Sequence, residues 1–232
     1  MTEDKWFACQ NPDHLLDYVQ DQISDRKLRL FVCACVRMVW DLLIDDRSRR
    51  AVDCGERLAN GHLSYAQTRN VGLAARSAEL SFRDSNFRGS QGRMQAYHAA
   101  RAAALTLVPN ADLMRLGPTF CELAQIEKLS QLEPPAAVRR RVRSAQSRLL
   151  RCLVGNPFRP MYVEPRCLVW NGGIIVKIAQ RIDESRNYGH LPVLADALEE
   201  AGCSNEVILE HCREGTTHAK GCHVLDCILS RE

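Results

Sequence analysis

The chain has 232 residues, 46% hydrophobic and 25% charged, with a net charge of +3. That size buries a core without disulfide or metal staples, and the balance excludes wholesale disorder, collagen-like repeats and a coiled-coil rod. No apolar run approaches the roughly 18 residues needed to cross a bilayer, and Met1–Gln10 has neither a basic start nor an apolar stretch, so no signal peptide or membrane partner is expected and the expected compartment is the cytoplasm.

Helix signals dominate from the start. Asn11-Pro12 reads as an N-cap with Pro at the first helical position, opening a helix to about Gln20. Ser24 caps a longer one. In it Leu28, Phe31, Val32, Cys35, Val39, Leu42 and Leu43 recur at steps of three and four and share one face. A further helix begins at Asp45 or Asp46 and stops near Asn60-Gly61, and Ser64-Tyr-Ala-Gln67 has the form of a capping box for a helix to about Phe82. Residues 84–93 read as a loop, and Met94–Leu107 is Ala-rich and helical by propensity. After the break at Pro109-Asn110, Thr119-Phe-Cys-Glu122 has the form of a second capping box for a helix through Leu129.

Pro134-Pro135 starts a basic helix that runs to Gly155. Residues 134–166 carry eight Lys and Arg against one Glu, whereas residues 1–133 carry 17 of each sign and residues 167–232 carry six against ten. Val138, Val142, Ala145, Leu149 and Leu153 form its apolar stripe, with arginines on the other side. Gly155–Trp170 holds three of the nine prolines and is expected to be a connector. Beyond it, Asn171 caps a helix from Gly172 to about Arg186, Leu191–Ala201 ends at Gly202, Ser204 caps a helix to Arg213, and Cys222–Leu229 makes a last short one. The expectation is an all-α, irregular bundle of about nine or ten helices, with a solenoid-like stacking of the C-terminal helices as an option. Its division is a helical bundle over 1–154, a connector over 155–170 and a helical subdomain over 171–232, which are able to pack as one domain.

Two places hold candidate chemistry. Arg139, Arg140, Arg143, Arg148 and Arg151 on the basic helix, with Arg159 beyond it, offer guanidinium groups to the phosphates of a nucleic acid or to an acidic protein partner. The competing reading is a solvated face docked on acidic neighbours. The tail gathers Cys203, His211, Cys212, His218, Cys222, His223 and Cys227 within 25 residues, and imidazole and thiolate are the ligands of tetrahedral Zn²⁺. Cys203, Cys212, His218 and Cys222 are the candidate metal ligands, in a spacing without a C-x2-C knuckle, and a catalytic use would need a carboxylate such as Glu210 or Asp226. Cys33, Cys35, Cys121 and Cys152 sit in apolar stripes and read as small hydrophobes of the core. A nucleophile elbow, a phosphate-binding loop, an H-E-x-x-H helix and a dinucleotide fingerprint are all missing.

Thr2-Glu3-x-x-Trp6, Ser24-Asp-Arg-Lys-Leu-Arg-Leu-Phe31, Gly155-Asn-Pro-Phe-Arg-Pro160, the run Leu191–Cys203 and His218-x-x-Gly-Cys222-x-x-x-Asp226 together resemble a large paralogous family of uncharacterised bacterial proteins. The resemblance covers both ends of the chain, implies a bacterial intracellular origin and brings no activity with it. His223 stands where that family has Trp. The reading that follows is a non-enzymatic helical interaction or adaptor module with a protein partner. The alternatives are a nucleic-acid-binding accessory subunit and a small zinc-binding protein or enzyme. No cofactor is expected beyond a possible structural zinc.

Overall fold

The structure, a computed structural model, describes residues 1–83, 92–159, 161–215 and 217–231. Among them there is no strand, and the fold is all-α. Most of the loop expected at 84–93 lies outside the described residues. The helices are α1 (Glu3–Ala8), α2 (Pro12–Val19), α3 (Asp25–Arg37), α4 (Asp46–Ala59), α5 (Tyr65–Ser81), α6 (Arg93–Leu105), α7 (Ala111–Met114), α8 (Gly117–Leu129), α9 (Pro135–Val154), α10 (Pro165–Ser185), α11 (Leu191–Glu200), α12 (Glu206–Arg213) and α13 (His223–Ile228). Among the described residues no helix is long and apolar enough to cross a membrane.

The local signals explain the helix starts. The Asn11 side chain accepts from the Asp13 amide, Ser24 from that of Lys27 and Asp45 from that of Arg47, and the Ser64/Gln67 capping box is formed from both sides. Three local expectations give way. The second capping box is not formed: α8 starts at Gly117 with Pro118 in its first turn, so Thr119 is inside the helix. The cap of α12 is Asn205, not Ser204. The apolar stripe of α3 outruns its helix, which ends at Arg37; a 3₁₀ turn over Trp40–Leu42 then carries Leu42 and Leu43 into the core.

The chain divides into two compact units, Cys9–Ser147 and Met1–Ala8 with Arg148–Glu232. These limits differ from the sequence division: the boundary falls inside α9, and the first helix belongs with the C-terminal residues. In the unit 9–147, α3 is central. Leu28 through Val36 are all buried, including Arg29, and α3 packs on α4, α6, α7 and α8. Close approach of these helices depends on small residues: Ala99, Ala102 and Ala103 of α6 are fully buried, and a Cβ on Gly117 would lie 2.5 Å from Cγ1 of Val32. Buried charge is matched by charge. Arg37 reaches Glu56 at 2.6 Å, Arg101 and Arg76 clasp Glu79, and Arg139 and Arg143 each reach Glu122 at 2.7 Å. Arg29 instead donates to the Thr106 and Val108 carbonyls just past the end of α6, where the helix dipole favours a cation.

In the unit 1–8 with 148–232, the core joins Cys152, Ile175, Ile182, Leu191, Leu194, Leu198, Ile208, Val224 and Leu225, supplied by α9 to α13. α11 packs on α10 and α12, and α13 on α10 and α12. Trp6 of α1 is fully buried, and Arg151 donates to its carbonyl at 3.1 Å. Asp183, 2% exposed, takes Lys220 at 3.4 Å and Arg231 at 2.6 Å. α10 is bent: Asn171, Gly172 and Gly173 all have positive φ, so Asn171 belongs to a left-handed turn inside the element rather than to an N-cap. Pro165 opens that element five residues before the end expected for the connector.

Candidate metal centre

Four side chains from four places in the C-terminal unit converge. Cys152 lies in the last turn of α9, His211 in the last turn of α12, His218 in the segment that follows, and Cys222 at the N-cap of α13. Their donor atoms all lie within 4.8 Å of one another. Cys222 Sγ is 3.2 Å from His211 Nε2, and Cys152 Sγ is 3.7 Å from His218 Nδ1 and 3.9 Å from His211 Nε2. A tetrahedral Zn²⁺ with ordinary Zn–S and Zn–N bonds has S···N edges of about 3.6 Å, so these separations bracket the zinc value. Cys152 and Cys222 are 2% and 0% exposed, while both histidines are half-buried.

The groups behind the donors hold them in this pose. His218 Nε2 lies 3.3 Å from the Glu214 carbonyl, so Nε2–H donates there and the Nδ1 lone pair faces the thiols. His223 Nδ1 sits 2.8 Å from the Cys152 carbonyl, and its ring stands edge-on to that of His211, with centroids 4.3 Å apart. Gly155 makes room for it: its φ is +76°, and a Cβ there would lie 2.7 Å from His223 Cδ2. The Tyr188 ring is 6.1 Å from that of His218, and its hydroxyl is buried with no hydrogen-bond partner among the described residues. Burial, the Asp183 carboxylate and the Cys152 and Cys222 thiols push that phenol up.

Protonation follows the same geometry. Burial pushes the Cys222 thiol up, but hydrogen bonds with Cys152, His211 and His218 and the His211 charge outweigh it and hold it well below the usual thiol value. Burial with neighbouring thiols pushes Cys212 up to about 12, the signature of an inert core thiol. The cluster is thus a Cys₂His₂ set that can hold a metal ion.

Of the four ligands expected from sequence, the structure brings His218 and Cys222 to this point and leaves Cys203 and Cys212 out. Cys203 and Cys212 are buried among the apolar residues of the unit. Cys212 follows His211 on α12, and a one-residue step of 100° turns it away from the cluster. Their places are taken by His211 and by Cys152, 59 residues before His211 and read from its stripe as a core hydrophobe. Asp226 is buried and Glu210 exposed, and neither joins the donor set.

The six arginines fall into separate settings. Arg139 and Arg143 hold Glu122, and Arg143 also reaches Asp13 at 3.1 Å. Arg140 is exposed. Arg159 pairs with Glu3 at 2.9 Å, while Arg148 and Arg151 line a cleft that Cys152 and His211 also line. No family model, no curated protein and no solved structure matches the chain.

Proposed function

We propose that this protein is a non-catalytic helical binding module whose C-terminal unit is closed by one Zn²⁺ ion on Cys152, His211, His218 and Cys222. The observation that carries the reading is the convergence of these four donor atoms within 4.8 Å, with His218 oriented from behind by the Glu214 carbonyl. A mixed thiolate–imidazole set in a tetrahedral arrangement favours zinc over the hard cations, which take oxygen ligands. Four protein donors fill the tetrahedral shell, and a filled shell supports a structural role over a hydrolytic one.

Metal analysis of protein purified without chelator tests the reading. The expected result is about one equivalent of zinc, falling below about 0.2 equivalents in Cys222→Ser, with Co²⁺ substitution giving a tetrahedral thiolate spectrum. Wild-type protein with less than about 0.2 equivalents, and no Co²⁺ spectrum on reconstitution under reducing conditions, overturns it.

A further inference from the structure

Beside the cluster lies an open cleft of about 440 Å³, within the range of small-molecule sites. Two helix faces line it. α9 contributes Arg148, Arg151 and Cys152, and α12 contributes Val207, Glu210, His211 and Glu214. Each set recurs at steps of three and four, so each is one continuous helical face. One wall is therefore basic and the other acidic, with the ligands Cys152 and His211 also belonging to the two walls. Glu210 and Glu214 make no salt bridge among the described residues, and Arg159 and Glu3 at the rim neutralise each other at 2.9 Å. Phe7, 51% exposed, and Val207, 39% exposed, add apolar surface to the lining.

We infer that this cleft binds a small zwitterion of the free amino-acid type, its carboxylate on the Arg148/Arg151 wall and its ammonium on the Glu210/Glu214 wall. A simple anion would meet two carboxylates as well as the guanidinium groups, and a simple cation the reverse. Only a ligand with both charges gains on both sides. Phe7 and Val207 favour an apolar side chain. The inference rests on the metal reading only for the rigidity of the walls, since an ion held by Cys152 and His211 ties α9 to α12 and fixes the cleft before the ligand arrives.

The test is calorimetry on full-length, zinc-replete protein with the common amino acids, followed by the matched set L-leucine, 4-methylpentanoate and 3-methylbutylamine. The expected result is saturable binding of an apolar amino acid, about tenfold weaker or worse for both single-charge analogues, in Arg148→Gln and in Glu210→Gln/Glu214→Gln. Unchanged zinc content and circular dichroism in these exposed-site variants keep a folding defect apart. Equal binding of the monoanion, indifference to either wall variant, or no binding of any amino acid at about 10 mM overturns the inference. Zinc-replete protein that fails to bind leaves the metal reading intact. Protein freed of zinc that still binds keeps the cleft and removes the ion's part in holding its walls, leaving the metal reading to the zinc and Co²⁺ analysis.

Discussion

In residues 9–147, Glu56, Glu79 and Glu122 are buried carboxylates reached by arginines whose other ends lie at the surface. In the C-terminal unit, Asp183 is handled in the same way, but the polar groups nearest the core are thiols and imidazoles that meet at one point. The difference is one of self-sufficiency. A carboxylate with its guanidinium partners is satisfied by the chain alone, whereas two thiols and two imidazoles packed together are satisfied best by an ion from solution. One unit should thus be indifferent to metal supply and the other governed by it.

Metal removal should have the largest effect. Zinc chelation, or Cys222→Ser, is expected to destabilise the C-terminal unit by about 5 kcal/mol or more, since binding energy at a structural site is folding energy. Hydrogen exchange would then show protection lost over 148–231 and kept over 9–147. Uniform loss, or none, would mean that the units do not differ in this way. A reciprocal lesion, Glu122→Ala, leaves Arg139 and Arg143 without their buried partner and should lower the urea stability of 9–147 by about 2 kcal/mol, below the cost of a fully buried pair because both arginines reach solvent. Zinc content should not move.

Gly155→Ala is a finer probe. It imposes a side chain at φ +76° against the His223 ring, and should cost the C-terminal unit about 1–2 kcal/mol and weaken zinc retention against a competing chelator.

Acid should separate the units by the same logic. Metal ligands must be deprotonated, so protons compete with zinc for the thiolates and imidazoles, and zinc is expected to leave on acidification before residues 9–147 unfold. In the other unit, Arg47 holds the Asp45 carboxyl below the usual range, a contribution present above the unfolded value and lost only as pH falls through the lower folded one, below about pH 4. Burial lowers the His98 imidazole, so the unfolded chain binds its proton first and a modest loss begins below about pH 6.5. Zinc release that tracks the acid unfolding of 9–147 would contradict this order. The smallest effect belongs to Arg140→Gln, on the exposed side of α9, expected within about 0.5 kcal/mol of wild type by urea denaturation.

What the sequence disclosed depended on how far apart the cooperating residues lie. The caps at Asn11, Ser24 and Ser64 act over two or three residues and were legible. Glu122 shows the limit: its spacing from Thr119 fits a capping box, yet Pro118 sets the helix start earlier and the carboxylate is taken by arginines 17 and 21 residues on. The Cys₂His₂ cluster was half legible. His218 and Cys222 lie one helical turn apart, but Cys152 looks like any apolar position in an amphipathic stripe, and no spacing rule distinguishes His211 from its neighbour Cys212. His223 near both histidines was a usable signal, since imidazoles gathered in one tail are more often ligands or their supports than scattered core residues.

The assignment of residues 1–8 to the C-terminal unit has a consequence in time. Unit 9–147 becomes available as soon as its own residues are made, but α1, which carries the buried Trp6, is grouped with residues whose last helix ends at Ile228. At ordinary synthesis rates of about 5–20 residues per second, roughly 10 to 40 s separate the making of α1 from the completion of the unit it belongs to. During that interval α1 waits for the rest of its unit, and chaperone engagement around Trp6 is where the delay would be felt.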